Sequence, residues 1–423
     1  MHSSLDTGSH QTGIKVRDLG VFERLMYLYS KVHHRHFCIV GELSGDFDHV
    51  DLVAALRKTQ LRHPPLRWGI QDDGDGPHFV ESLQPIQVTL CERREYPRWE
   101  KVVEEELARP FLPSSSPLLR ASVLIGGQVW QPTTLVLTFH HAVADGLSAI
   151  AFLNDVVRLL NGASLPAVAP RLPVEALLPG LSLPSGASLS PAERAGIEAI
   201  AKQPLWRSFE GDQPRVRTAA FDLASTSALI AKSRDEGTSV HGAICAALAI
   251  VNKTSDKEDP YTILSPINIR SMVGVDGCEI GLFLDAAAVR IPIADDANLW
   301  DVARFLVTQL AASGSRESFI QRLATLHITL PATASTDLAC GLFGSFAYDA
   351  VVSNLGAVQT ASAGKIANLQ AVWGPMVLGR FRDERMIGAA TLGGHLRLTE
   401  ARPEHVPGSI HQVAELLLRS LYL

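Results

Sequence analysis

The string His140-His141-Ala-Val-Ala-Asp145-Gly146 places two imidazoles and a carboxylate close together in sequence. A neutral imidazole, with an ordinary pKa near 6.5, can take a proton from an attacking hydroxyl or amine at neutral pH and return it to a leaving group. General-base catalysis of this kind is worth roughly 10² to 10⁴ in rate. Each residue also has a plainer reading. Asp145 fits a helix N-cap, accepting from the first free N–H groups, with Gly146 easing the turn. His140 and His141 fit packed structural positions, or a pair of metal ligands. Zinc needs three or four ligands, and the chain has no Cys-x-x-Cys or His-Glu-x-x-His to complete a set, so no metal site is expected. Covalent catalysis is likewise disfavoured: there is no G-x-S-x-G elbow, and no cysteine lies beside a motif that would activate a thiolate.

The flanking segments read as a strand and a helix. Thr134 to Phe139 is short, apolar and rich in β-branched residues, the pattern of a strand buried on both faces. Ile150, Leu153, Val157 and Leu160 recur at spacings of three and four, so Leu147 to Leu160 reads as a helix with an apolar face. A tight turn between a core strand and a packed helix can aim a side chain into a cleft. Successive residues at the strand end point to opposite faces, which separates the tasks of His140 and His141.

The chain has 423 residues, 46% of them hydrophobic and 19% charged, with a formal net charge of −6. Such a length suits two domains of about 200 residues. The acidic balance and the lack of a basic stripe give no reason to expect a nucleic acid or an anionic membrane as partner. Cys38, Cys91, Cys245, Cys278 and Cys340 are odd in number and scattered, which reads as reduced thiols rather than a disulfide framework. Residues 1–14 have no basic and apolar regions of a signal peptide, and no apolar run of 18 residues could span a bilayer. A cytoplasmic monomer is expected.

Further along, a strand is expected over Phe37–Leu43 and a helix over Val50–Arg62. A hairpin turn is expected at Asp72-Asp73-Gly74-Asp75-Gly76, which lacks the carboxylate alternation of a calcium loop. Trp99–Leu107, Leu223–Glu236, Ser239–Val251, Trp300–Ala311 and Ile410–Leu421 read as helices, and Tyr261–Ser271 reads as a strand. Residues 178–191 carry a turn former at nearly every second place, with no period. The expected division is therefore an N-terminal domain over 1–178, a crossover linker over 179–192 and a C-terminal domain over 193–423.

The full string His140-His141-x-x-x-Asp145-Gly146 resembles the HHxxxDG motif of the condensation-domain superfamily of acyltransferases. Other strings match the superfamily in order: Arg62-His63-Pro64-Pro65-Leu66-Arg67, Arg109-Pro110-Phe111 with Pro117-Leu118-Leu119-Arg120, Pro266-Ile-Asn268-Ile-Arg270 with Gly281-Leu-Phe283, and Ser353-Asn354-Leu355-Gly356. The resemblance covers nearly the whole chain and looks closest to the polyketide-associated and alcohol acyltransferases. It implies an α/β fold of two chloramphenicol acetyltransferase-like subdomains, each a mixed sheet with flanking helices, and a tunnel between them. It also implies an O-acyltransferase acting on a thioester donor and a small hydroxyl or amine acceptor. No permanent cofactor is implied; the phosphopantetheine of coenzyme A or of an acyl carrier protein enters as part of the donor.

Residue by residue, the resemblance makes His141 the general base and His140 a packing or positioning residue. It has Asp145 orient the loop by pairing with an arginine, for which Arg270 is the candidate. Gly146 would let the backbone approach the thioester carbonyl, and Ser353 or Asn354 would line the channel or steady the oxyanion. His241, at a helix start, reads as a satisfied structural histidine. Arg207, Arg215 and Arg217 form a loose basic group that could meet the donor at a tunnel mouth, or a solvated segment. Two other functions compete: a freestanding condensation enzyme that forms an amide between carrier-bound substrates, and a non-catalytic binding protein that keeps the fold. The intact motif disfavours the second.

Overall fold

The apolar run before the two histidines is a strand at the centre of a sheet, and its neighbours on both sides account for its burial. In a computed structural model of the chain, the described residues are 13–112, 116–125, 131–178, 181, 188–208, 210–253, 260–294, 296–346, 348–360 and 364–422. In chain order the elements are β1 (Lys15–Asp18), α1 (Val21–His33), β2 (His36–Gly45), α2 (His49–Arg62), β3 (Trp68–Asp72), β4 (Pro77–Glu81), β5 (Gln87–Glu92), α3 (Trp99–Ala108), β6 (Leu119–Ile125), β7 (Thr133–His140) and α4 (Gly146–Leu160). They continue with α5 (Pro191–Ile200), β8 (Pro214–Ala220), α6 (Leu223–Asp235), α7 (Val240–Asn252), β9 (Tyr261–Asn268), α8 (Arg270–Val273), β10 (Leu284–Ile291), α9 (Leu299–Ser313), α10 (Arg316–Thr329) and α11 (Thr336–Ser345). The last are β11 (Ala350–Ala357), β12 (Ala367–Val377), β13 (Arg385–Leu392), β14 (His395–Pro403) and α12 (Ile410–Arg419).

One mixed sheet has the order β12-β2-β7-β6-β5, and a second has the order β10-β9-β11-β13-β14-β8. A three-stranded sheet, β1-β4-β3, holds the hairpin at residues 72–77. The architecture is the expected α/β pair of mixed sheets with flanking helices. Within the second half, α7 contributes an almost unbroken buried run from Gly242 to Ala249 and packs against β9, β11, α9 and α12. Its small residues let it lie flat on the sheet, which is why the segment is apolar all round rather than amphipathic.

One strand crosses the expected division of the chain. β12 lies far beyond residue 193, yet it pairs antiparallel with β2 from Ala367↔Gly45 to Val377↔Phe37. Pro375 within it cannot donate to a ladder, and an edge position tolerates that loss. β12 also lies against β13 and β14. A Cβ on Gly388 of β13 would sit 2.1 Å from the Pro375 carbonyl oxygen, so the two sheets approach closely only because residue 388 has no side chain. The expected linker over 179–192 lies mostly outside the described residues; its last residues, Pro191 and Ala192, open α5 behind the Ser190 cap.

Among the described residues no helix is long and apolar enough to cross a membrane, and no group of three His, Cys, Asp or Glu side chains is placed to hold a metal ion. Cys38, Cys91, Cys245 and Cys340 are buried free thiols, and Cys278 is an exposed one.

Candidate active site

β7 carries His140 to the rim of its sheet between two neighbours. The His140 N–H donates to the Leu118 carbonyl at 3.0 Å, and the His141 N–H donates to the Arg35 carbonyl at 2.9 Å. Alternation then separates the rings. The His140 Nδ1 accepts from the Ala142 N–H at 3.0 Å, and its ring meets Phe111 edge-on at 5.8 Å. It faces an open cleft lined also by Tyr27, Lys31, His34 and Ile70. The His141 ring turns the other way, to the face of Phe37, whose ring centroid is 4.6 Å away.

The His141 Nδ1 lies 3.2 Å from the Ala144 carbonyl oxygen. A carbonyl only accepts, so this bond requires the proton on Nδ1 and leaves Nε2 with its lone pair. Burial holds the His141 pKa well below the ordinary value, the Arg35 guanidinium pushes it further down, and the Ala144 bond opposes both. Burial, with help from Arg120, also brings His140 down to about 3. Both rings are neutral at physiological pH.

Asp145 is the N-cap of α4 and much more. Its Oδ1 accepts from the Ser148 N–H at 2.8 Å and from the Ser148 hydroxyl at 2.9 Å. Arg270 meets it with both ends of the guanidinium, Nη1 to Oδ2 at 2.8 Å and Nη2 to Oδ1 at 2.9 Å. Oδ2 also accepts from the Phe283 N–H at 2.9 Å. Both members of the pair are buried, and Arg270 lies over the Phe283 ring at 4.9 Å. The string Pro266 to Arg270 and the loop to Phe283 are thereby fastened to the histidine turn from across the molecule. Ser148 joins them by accepting from the Gly281 N–H at 3.1 Å. Sequence reading missed Ser148, whose only signal is its place two residues beyond Gly146.

Gly146 is the first helical residue, and it needs no left-handed backbone. Its role is space: a Cβ there would lie 2.7 Å from Cδ2 of Leu355 and 3.7 Å from Cγ of Pro375. Leu355 is held by a bulge near the end of β11, where the Asn354 Oδ1 accepts from the Gly356 N–H at 2.8 Å and Gly356 takes φ 70°. The Ser353-Asn354-Leu355-Gly356 string thus reaches the histidine turn through Leu355. Ser353 is buried on β11 opposite Gly388, and the Asn354 side-chain oxygen is engaged by its own turn.

His241 stands apart from this site, with Nε2 2.9 Å from the Ser265 hydroxyl and its pKa brought down to about 4 by burial. The basic group is neutralised in part. Arg207 is buried between Asp212 and Glu384, and Arg215 pairs with Glu404 and Glu104. Arg217 donates to the Val216 carbonyl. Arg207 and Arg215 are thus paired with carboxylates, while Arg217 is exposed and meets no carboxylate among the described residues.

Known proteins resemble the chain in sequence and in fold. The Condensation domain family model matches residues 23–170, and the model for the C-terminus of phthiocerol/phthiodiolone dimycocerosyl transferase matches residues 210–363. A linear gramicidin synthase chain of Brevibacillus parabrevis is 24% identical over 284 residues, which are 62% of this chain and 4% of that protein. Bacitracin synthase 3 of Bacillus licheniformis is 30% identical over 126 residues, 30% of this chain and 2% of that protein. The chain therefore matches only a few per cent of the length of these synthases. Among solved structures, polyketide synthase associated protein 5 from Mycobacterium tuberculosis superposes with a TM-score of 0.63 at 17% identity, covering 97% of this chain and 99% of that one. The starter condensation domain of rhizomide synthetase, in complex with C8-CoA and Leu-SNAC, superposes with a TM-score of 0.63 at 13% identity, covering 99% and 96%.

Proposed function

Because the chain belongs to the condensation-domain superfamily of acyltransferases, we propose that it moves an acyl group from a thioester to a hydroxyl acceptor with His141 as general base. The observation that carries this is the state of the His141 ring: neutral by burial, with Nδ1 bound to the Ala144 carbonyl and Nε2 left to accept. Donor and acceptor occupy the site together. Nε2 takes the proton of the acceptor hydroxyl as its oxygen bonds to the thioester carbonyl carbon. The tetrahedral adduct then expels the thiolate, and the imidazolium returns the proton to sulfur, so that an ester and a free thiol leave. Asp145 and Arg270 hold the loop, Gly146 admits Leu355 beside it, and His140 lies on the opposite face of the sheet. Ser353 and the Asn354 amide on β11 border the same region and are the candidates to line the substrate path.

Coenzyme A and a carrier protein present the same phosphopantetheine arm, so either serves as donor. A second reading, amide formation with an amine acceptor, is favoured by the synthase relatives. The histidine chemistry is the same with nitrogen in place of oxygen. Incubating the full chain with an acyl-coenzyme A and pooled alcohols and amines, and reading free thiol and product mass, tests both. Ester product supports the first reading and amide the second; an intact thioester with every acceptor overturns them together.

A further inference from the structure

Arg35 stands beside the base on the rim of the sheet. One step past the pair His36↔His140, the register sets Arg35 opposite His141, in keeping with the bond from the His141 N–H to the Arg35 carbonyl. Alternation puts both side chains on the face of Phe37. Arg35 is only 7% exposed. Among the described residues its guanidinium forms no ion pair, and its Nε and Nη1 have no hydrogen-bond partner. A contact with the Phe343 ring at 5.4 Å is its visible support.

The charges around it do not balance. Glu384 accepts from the Gly379 N–H at 2.6 Å, from the Arg380 N–H at 2.7 Å and from Arg207 Nη1 at 3.0 Å. Asp212 pairs with Arg207 and Arg380. Three buried guanidinium groups thus share two carboxylates, and both carboxylates are committed to the two arginines other than Arg35. The Tyr348 hydroxyl is buried as well and is turned to Arg35. It converges with Arg35 at Gly379, where a Cβ would lie 2.6 Å from Tyr348 Oη and 2.9 Å from Arg35 Nη1. The surrounding titrations share this excess of positive charge. Burial first, and the Arg380 guanidinium second, bring His33 down to about 4 and His34 to about 3.

A buried cation without a partner is costly unless something supplies the opposite charge, and the planar fork of a guanidinium matches a carboxylate with two parallel bonds. We infer that Arg35, with the Tyr348 hydroxyl, receives a carboxylate carried by one of the two substrates and so selects an anionic donor or acceptor. The inference rests on the proposed reaction for where the substrates sit.

Calorimetric titration of the full chain with two matched pairs tests it. Succinyl-coenzyme A against butyryl-coenzyme A reads a carboxylate on the donor; 3-hydroxybutyrate against its methyl ester reads one on the acceptor. The wild-type protein binds the acid of one pair at least tenfold more tightly than the neutral partner. Arg35→Met abolishes that preference and leaves the neutral partner's affinity within about threefold, and Tyr348→Phe weakens the preference less. If Arg35→Met fails to fold, Arg35→Lys decides: losing the fork lowers the acid's affinity alone. Equal affinities within both pairs overturn the inference, as does a preference that survives the loss of the fork, or a site that takes inorganic phosphate and neither acid. Binding is read without turnover. Acids held through Arg35 with no transfer would sink the reaction and leave this site standing, whereas transfer of neutral substrates with no acid preference would do the reverse.

Discussion

His141 and Asp145 stand at the two ends of one turn, and their surroundings are opposites. The carboxylate accepts from both ends of the Arg270 guanidinium, from the Ser148 hydroxyl and N–H and from the Phe283 N–H. Among the described residues the imidazole has a single bond, through Nδ1, to a carbonyl three residues on. A fully satisfied charge pair is rigid and chemically silent; a neutral ring tied by one nitrogen is positioned and still able to accept a proton. The contrast supports the proposed division of scaffold at Asp145 and chemistry at His141, although both residues belong to one motif.

The clamp can be broken most severely. Asp145→Ala or Arg270→Ala leaves a buried charge unpaired and should cost about 3 to 5 kcal/mol of stability, with activity lost alongside. The double variant should cost less than the two losses added, by about 0.5 kcal/mol or more, because the partners meet. Urea denaturation of the four proteins measures this, and additive losses would separate the two residues. A smaller effect follows from acid. His140 and His241, held at about 3 and about 4 mainly by burial, stay neutral in the fold where the unfolded chain takes up protons. Stability is therefore fully present above pH 6.5 and falls as pH drops from there towards 4, by about 1.4 kcal/mol per pH unit for each such imidazole. His140→Phe should flatten that slope by one proton; an unchanged slope would mean that His140 is charged in the native state. Smaller again, Gly146→Ala should cost about 1 to 3 kcal/mol by driving a Cβ into Leu355. Leu355→Ala in that background should recover part of the loss, and no recovery would place the strain elsewhere.

The histidine turn was legible in sequence because its parts are local: a β-branched strand, a tight turn and a helix with an apolar face follow one another without a break. Arg270 was legible only through resemblance, since nothing local ties residue 270 to residue 145. β12 was not legible. Its Gly374-Pro375 pair reads as a break, and only the edge position beside β2, set by pairing across more than 300 residues, makes a strand of it. α1 escaped for another reason. Its apolar residues do favour one face, but it opens behind Gly20, which offers no side-chain cap to mark its start. Arg207 misled because one of the two carboxylates that neutralise it, Glu384, comes from a distant segment. Arg35 carried no signal beyond its place after two histidines, and its lack of a partner is visible only in three dimensions.

The most direct measurement is acyl transfer by His141→Ala and His140→Ala side by side, each with its melting temperature. His141→Ala should lose transfer by roughly 10² to 10⁴ or more and melt within a few degrees of the wild type, while His140→Ala keeps substantial turnover. A dead His140→Ala beside an active His141→Ala would contradict the assignment of chemistry to the sparsely bonded ring.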